Sequence, residues 1–542
     1  IIVGCGAALI LASPGSAQRL ERADKALKIG AYALEMKLEP PDKSLGGSQF
    51  FEVAVTYYTG KGNKQDPVEA SKWFKRAADQ GLARAQFDLA LMYRDGVGVR
   101  QDPDASLKWF RKAAAGGDAD AQFHLAVTGS DDQAMKWGKR SAEQGNPYAQ
   151  TLLGVLLLQG KGGKGKAAEG ARWIRTAAEK GLATAQHDLG LLLEAGHGVA
   201  PDAAAAAVSY RKAAEQGQVQ AAENLALLLD AGKGVALDAA GAAIWHGKAA
   251  EAGEAGAQRN LGMHYFDGRG LAENPQLAVA WFLKAAAQGD PAAELYLGRA
   301  ARTGQGGRRD PSMARDWYLK AAEQDLPEAQ KELAVMYDKG DGIGRDPAAA
   351  YRWYALAGAQ GDDDATRAAN AIAPHLSRDQ IKSLFRWFHE QADLNVTGSS
   401  ATLKGAGSVR YHLAVMYEEA RGAPRDPGKA LRWLNRAAEQ GLVSAQMKLA
   451  LRYYLGDGAP SDAKLALRWL HAAAAANDPR ALYTLGDIAL KGQIVRQDYA
   501  EAYRWFTRAA SRGSQDARNA LNSLIPVMTE EDTEEGKKLL LQ

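Results

Sequence analysis

Residues 83–118 read ARAQFDLALMYRDGVGVRQDPDASLKWFRKAAAGGD, and this stretch decides the fold. Ala85, Leu89, Ala90 and Tyr93 recur at offsets of three and four, the spacing of one helical face. Gly96 suits the left-handed position that ends a helix. Asp102-Pro103 then opens a second helix: the aspartate caps free amides and the proline takes the first helical position. Trp109, Ala113 and Ala114 form the apolar face of that helix, and Gly117 ends it. Large Trp and Tyr alternating with small Ala let the two helices approach closely. Such a pair leaves one apolar face uncovered, so neighbours must stack to bury it.

Outward from this stretch the pattern repeats. Trp73 and Trp109 are 36 residues apart, as are Trp137 and Trp173. Trp245, Trp281, Trp317 and Trp353 continue the period, and Trp433, Trp469 and Trp505 resume it. Only Trp387, of twelve tryptophans, falls outside this register. Full units begin at Gly47, Ala83, Pro147, Ala183, Val219, Ala255, Pro291, Pro327, Gly407, Val443 and Pro479; a shortened one spans Ala119 to Asn146. Asp66-Pro67, Asp310-Pro311, Asp346-Pro347 and Asp426-Pro427 repeat the capping device. The expected fold is all-α, a right-handed α-solenoid of about a dozen helix–turn–helix repeats. With 542 residues the chain exceeds one compact core, and 46% hydrophobic residues suffice for extensive burial. A net charge of +3, spread along the chain without a basic stripe, argues against nucleic acid as a partner. A single cysteine, Cys5, excludes a disulfide framework.

The string Ala-x-Ala-Gln-x-x-Leu-Gly/Ala, then Gly-x-Gly, Asp, Trp and Lys-Ala-Ala-Glu-x-Gly resembles the Sel-1-like repeat, a relative of the tetratricopeptide repeat. It stands as PEAQKELAVMYDKGDGIGRDP from Pro327 and as ATAQHDLGLLLEAGHGV from Ala183. The resemblance covers roughly Gly47 to Gln542. Departures are local: Ser209 replaces Trp, and Asp325 and Asn477 replace the terminal Gly. The resemblance implies an adaptor that assembles complexes, with another protein as partner. Exported bacterial members of such families serve the cell envelope. Two alternatives follow from the same resemblance. One is an enzyme or enzyme subunit acting on cell-wall material or in polysaccharide export; the other is a eukaryotic lumenal quality-control adaptor.

Residues 1–17 differ from the rest. Ile1 to Ala12 is apolar, Ser13 to Ala17 is small and polar, and Gln18-Arg-Leu-Glu-Arg22 begins a charged stretch. This is the pattern of an export signal cut after Ala17, so the mature chain is expected in the periplasm or secreted, without a transmembrane span. A lipoprotein route through Cys5 fits less well, because the apolar run continues past the cysteine. Residues 18–46 read as a helical lead-in. The repeat then fails after Asp362: Ala365, Ala369, Pro374 and Ser377 match Ala517, Leu521, Pro526 and Thr529, each 152 residues later. Ser377-Arg-Asp-Gln380 and Thr529-Glu-Glu-Asp532 both resemble capping boxes. The reading is one array over residues 47–391, a linker over 392–406, and a second array over 407–542, each closing with the same modified helix pair. The plain alternative is one continuous solenoid with an irregular joint.

No constellation of catalytic residues, cofactor-binding residues or metal ligands stands out. The nine histidines are scattered, without a metal-ligand spacing and a third ligand nearby. Gly160-Lys-Gly-Gly-Lys-Gly-Lys166 lacks the hydroxyl residue of a phosphate loop. The candidate binding surface follows from helix geometry. Positions 5 and 12 of each unit lie nearly opposite positions 3, 7 and 11, at about 100° per residue. Their identities vary while the frame is constant. Phe87, Arg94, His187, Arg259, Phe266, Arg302, Tyr411 and Tyr454 are the candidates for a partner-facing groove. Alternatively these residues drift freely, or their aromatic members pack between neighbours. The Lys and Arg near the second helix's end, such as Lys112 and Lys212, suit the helix dipole and need no further role.

Overall fold

The computed structural model describes residues 46–163, 165–394, 406–457 and 459–540. The expected export signal and the helical lead-in lie outside them, apart from Gly46. The described residues form 28 α-helices and two short 3₁₀ turns, with no strand. Helices pair in sequence as anticipated: Ala83–Asp95 with Pro103–Ala115, and likewise for the predicted units that start at Gly47, Pro147, Ala183, Val219, Pro291, Pro327, Gly407, Val443 and Pro479. The chain divides into two compact units, residues 1–272 and 273–542.

The local chemistry recurs in most repeats. Gly96 ends its helix in the left-handed conformation, its N–H bonded to the Met92 carbonyl. Asp102 returns the chain, donating its N–H to the Tyr93 carbonyl at 2.9 Å, and its Oδ1 accepts from Ala105 N–H at 2.9 Å. Where Asp325 and Asn477 replace glycine they hold the same left-handed conformation, with φ of 68° and 59°.

Repeats join through two recurring contacts. Gln86 donates from Nε2 to the Ala78 carbonyl at 3.0 Å, satisfying a free carbonyl at the end of the preceding unit's second helix. Gln122, Gln186, Gln330 and Gln446 do the same to Ala114, Ala178, Ala322 and Ala438. Gly98, the second glycine of its loop, sits against the start of the preceding second helix. A Cβ there would lie 2.0 Å from the Pro67 carbonyl oxygen, so no other residue fits.

The tryptophans are not the deepest residues of the second helices. In most of them that place belongs to the residue after the tryptophan: Phe74, Phe110, Phe282, Tyr318 and Phe506 are fully buried, whereas Trp353 is itself as deep as Tyr354. Trp73, Trp245, Trp281 and Trp317 are half-buried at the edge. A cation three residues on covers each ring, with Lys112 4.2 Å above Trp109, Lys248 3.8 Å above Trp245 and Lys284 3.7 Å above Trp281. The reading of Lys112 as serving the helix dipole alone is therefore corrected: it also makes a cation–π contact.

In the second unit one core runs from Leu295 to Leu524. The two modified pairs share a backbone: Asp363–Ile372, the turn Ala373–His375 and Arg378–Leu394; then Gln515–Leu524, Ile525–Val527 and Glu530–Leu540. Both capping boxes form, Ser377 with Gln380 and Thr529 with Asp532. The expected linker falls mostly on residues 395–405, outside those described. On its far side helix Ala406–Glu418 packs on Arg378–Leu394 and on Pro347–Ala359. At Gly422, the counterpart of Gly98, an added Cβ would meet Phe385 and the Ile381 carbonyl instead of a normal second helix. Helix Arg378–Leu394 thus stands in for the second helix of a preceding repeat.

Candidate functional site

Positions 5 and 12 are two helical turns apart, so both face the deep residue of their own second helix. Phe51 meets Phe74 at 5.6 Å, Phe87 meets Phe110 at 5.7 Å, His187 meets Tyr210 at 5.8 Å and Tyr483 meets Phe506 at 5.5 Å. Phe87 is 1% exposed, with the Arg84 guanidinium 4.7 Å over its ring. It is a core residue, and its place among groove candidates is corrected: edge-on packing against Phe110 occupies its surface.

The other candidates are half-buried. Arg94 pairs with Asp95 at 2.7 Å. His187 Nε2 lies 3.2 Å from Asn224 Nδ2 of the next unit, and Arg259 donates to Asn260 at 3.1 Å. Tyr411 lies beneath Lys448, whose Nζ is 5.5 Å from the ring centre, and Tyr454 donates its hydroxyl to Gln493. Position 12 recurrently bonds forward to the next unit: Glu194 to Lys233 at 2.9 Å, Arg302 to Glu332 at 3.4 Å, and Glu418 to Lys448 at 2.7 Å. The first helices therefore present a row of partly exposed polar and aromatic groups, stitched from repeat to repeat.

At one place this row turns into a convergent cluster. Helix Val219–Ala231 carries Glu223 and Asp230 two turns apart on one side. Helix Ala239–Glu251 supplies His246 at the deep position after Trp245, and helix Ala255–Asp267 supplies His264. His246 Nδ1 is 2.7 Å from Glu223 Oε2, and its Nε2 is 3.2 Å from Asp230 Oδ2. His264 Nε2 is 2.9 Å from the same Asp230 oxygen, and its Nδ1 is 2.6 Å from the Arg269 carbonyl. Burial opposes charge on His246, but its bonds to Asp230 and Glu223 outweigh that and raise its pKa to about 9. Burial likewise opposes charge on Asp230, yet the two histidines hold its carboxyl well below the usual range. Sequence reading missed this group because Asp230, His246 and His264 are separated by 16 and 18 residues. The signal was present as a histidine at position 246, whose register is aromatic or aliphatic in every other full unit.

No helix among the described residues is long and apolar enough to cross a membrane. Among curated proteins, none matches the chain. Among solved structures it is similar to a protective antigen of uropathogenic Escherichia coli displaying an SLR fold. The two share 27% identity over 96% of this chain and 93% of that one, with a TM-score of 0.41. It is also similar to a Sel1 repeat protein from Oxalobacter formigenes, at 26% identity over 61% of this chain and 94% of that one, TM-score 0.40. An immunity protein of Pseudomonas aeruginosa matches at 20% identity over 40% of this chain and 84% of that one, TM-score 0.26. The Sel1 repeat matches twelve times, over residues 51–82, 83–118, 119–146, 147–182, 183–218, 219–254, 255–290, 291–326, 327–362, 408–442, 443–478 and 479–514. With the repeat so matched across most of its length, the chain belongs to the Sel1 repeat family.

Proposed function

We propose that this chain is a non-enzymatic adaptor of the bacterial cell envelope, exported after cleavage at Ala17, whose first-helix row receives a partner protein. Sel1 repeat proteins generally mediate protein–protein interaction, and the fold is typically a non-catalytic scaffold. The observation that carries the reading is the contrast along the row. The joining residues Gln86, Gln186, Gln330 and Gln446 recur in register. Where they are partly exposed, positions 5 and 12 instead pass through Phe51, His187, Glu223, Arg259, Lys331, Tyr411 and Leu490. A repeated frame with changing partly exposed side chains is what a tuned contact surface requires. The test is cross-linking in envelope extracts, followed by rebinding with the purified partner. Binding should fall when Arg302 and Tyr454 are replaced together by Ala while helicity is retained. A partner bound equally well by that double variant and by one altered at exposed positions of the second helices would overturn the assignment of this row. Mass spectrometry of the native chain should find Gln18 at its start; an intact leader in the cytosol would overturn export.

A further inference from the structure

We propose that Asp230, His246 and His264 form a binding site for a divalent transition-metal ion of the zinc class, clamping two consecutive repeats together. One ligand atom from each lies within 4.8 Å of the others. Both histidines are fully buried. They also break the repeat in the same spot. His246 occupies the register of Phe74, Phe110, Phe282 and Phe506, and His264 that of Met92, Met336 and Met416. The first register is aromatic or aliphatic in every other full unit and the second is mostly apolar, with Thr56 and Arg452 as exceptions; here the Nε2 atoms of both residues meet one carboxylate.

The ring orientations are those of metal ligands. A metal-bound histidine normally gives its other ring N–H to a carboxylate or a carbonyl. His246 Nδ1 faces Glu223 and His264 Nδ1 faces the Arg269 carbonyl. Glu223 is itself fixed by Asn260 Nδ2 at 2.7 Å. A carbonyl only accepts, so His264 Nδ1 carries a proton. Its Nε2 then directs a lone pair at the Asp230 oxygen unless a second proton or a cation lies between them. The Nε2–Oδ2 separations of 2.9 and 3.2 Å also suit ligand–ligand edges around an ion. For metal–ligand bonds of about 2.0–2.1 Å such edges run about 2.9–3.4 Å. Two imidazoles and a carboxylate favour zinc, cobalt or nickel over calcium or magnesium. Arg269, whose Nη2 is 3.4 Å from Asp230 Oδ1, has a half-exposed side chain that turns to solvent when the ion enters. Any proton held between an Nε2 atom and Asp230 leaves to solvent in the same step.

The experiment uses the untagged full chain and the metal alone. Zn²⁺ titrated against a chromophoric competitor should show one equivalent bound, and Co²⁺ should give a visible ligand-field spectrum. His246→Phe and His264→Met carry side chains used at those positions in other repeats, so they should retain helicity in EDTA. Each should weaken Zn²⁺ affinity by about 100-fold or more, and Glu223→Gln by about 10–100-fold. His471→Ala should leave it unchanged. Absence of stoichiometric binding, or binding that survives both histidine variants, would overturn the proposal and leave the cluster an ion-paired staple. Should the variants fail to fold, X-ray absorption on the zinc-loaded wild type decides: two imidazole ligands support the site, and none overturns it.

Discussion

The helix pair of residues 363–394 and that of residues 515–540 begin alike and dock differently. Each has a ten-residue helix, a 3₁₀ turn and a capping box. In the later pair, Gly536 lets helix Glu530–Leu540 lie back on Tyr499–Ser511; a Cβ at this glycine would come within 2.8 Å of Tyr503. The earlier pair has Leu384 at the matching position and Phe388 where the later has Leu540. Its long helix turns its apolar side to Ala406–Glu418: Phe388 is 0% exposed and its ring is 4.6 Å from His412. Where Phe385 meets Tyr417 at 5.3 Å, the later pair has Lys537 at the surface, paired with Glu534. One backbone device thus serves as a joint or as a charged face, and a few side chains decide which.

The two pairs should differ most at Phe388. Phe388→Ala should cost about 3–5 kcal/mol, as for a buried aromatic, while Leu540→Ala should cost well under half of that. Denaturant midpoints of the two variants check this, and equal losses would show that the two helices are used alike. Gly536→Leu comes next. The leucine of the joint, placed where backbone and ring are in contact, should cost about 1–3 kcal/mol by overpacking. No loss would show that helix Glu530–Leu540 does not depend on close approach at Gly536.

A third test uses pH. Burial first, then the charges of Arg421 and Lys448, lowers the His412 pKa to about 3 from its ordinary 6.5. The unfolded chain gains this proton near 6.5 and the folded joint does not. The joint is therefore fully stable above that pH and loses stability as pH falls from there toward 3. His412→Asn, using the residue that Asn224 and Asn260 place at this register, should flatten the slope between about pH 7 and about pH 4.5. An unchanged slope would show that other groups carry it. The smallest effect sharpens what is shared: Ser377→Ala and Thr529→Ala should each cost about 1 kcal/mol, the usual loss for a helix cap. A large difference between them would mean that the caps are not equivalent.

The period, the unit starts and the capping aspartates were legible because each is set by residues close in sequence. The tryptophan spacing located the second helices but not their deepest residue. Neighbouring positions differ by only about 100° around a helix, and which of Trp281 and Phe282 points inward depends on the neighbouring unit. The same dependence hid Phe87 in the core. Lys284 over Trp281 was legible as a three-residue spacing but had an adequate simpler explanation in the helix dipole. Asp230, His246 and His264 were beyond local reading, since only the stacking of one unit on the next brings them together.

The glycine contact typified by Gly98 points backwards along the chain. It closes on the start of the preceding second helix, as Gln86 closes on the end of it. A unit that carries this glycine and glutamine therefore brings its own attachment and needs nothing downstream to make it, whereas the unit from Pro479 has Ile494 and Leu482 in their places. During synthesis at about 5–20 residues per second, a 36-residue unit leaves the ribosome every roughly 2–7 s. Helix–coil relaxation takes about a microsecond, so each unit has time to dock on its predecessor before the next emerges. The order of translation becomes the order of assembly, and the growing end exposes at most about one unpaired repeat face at a time.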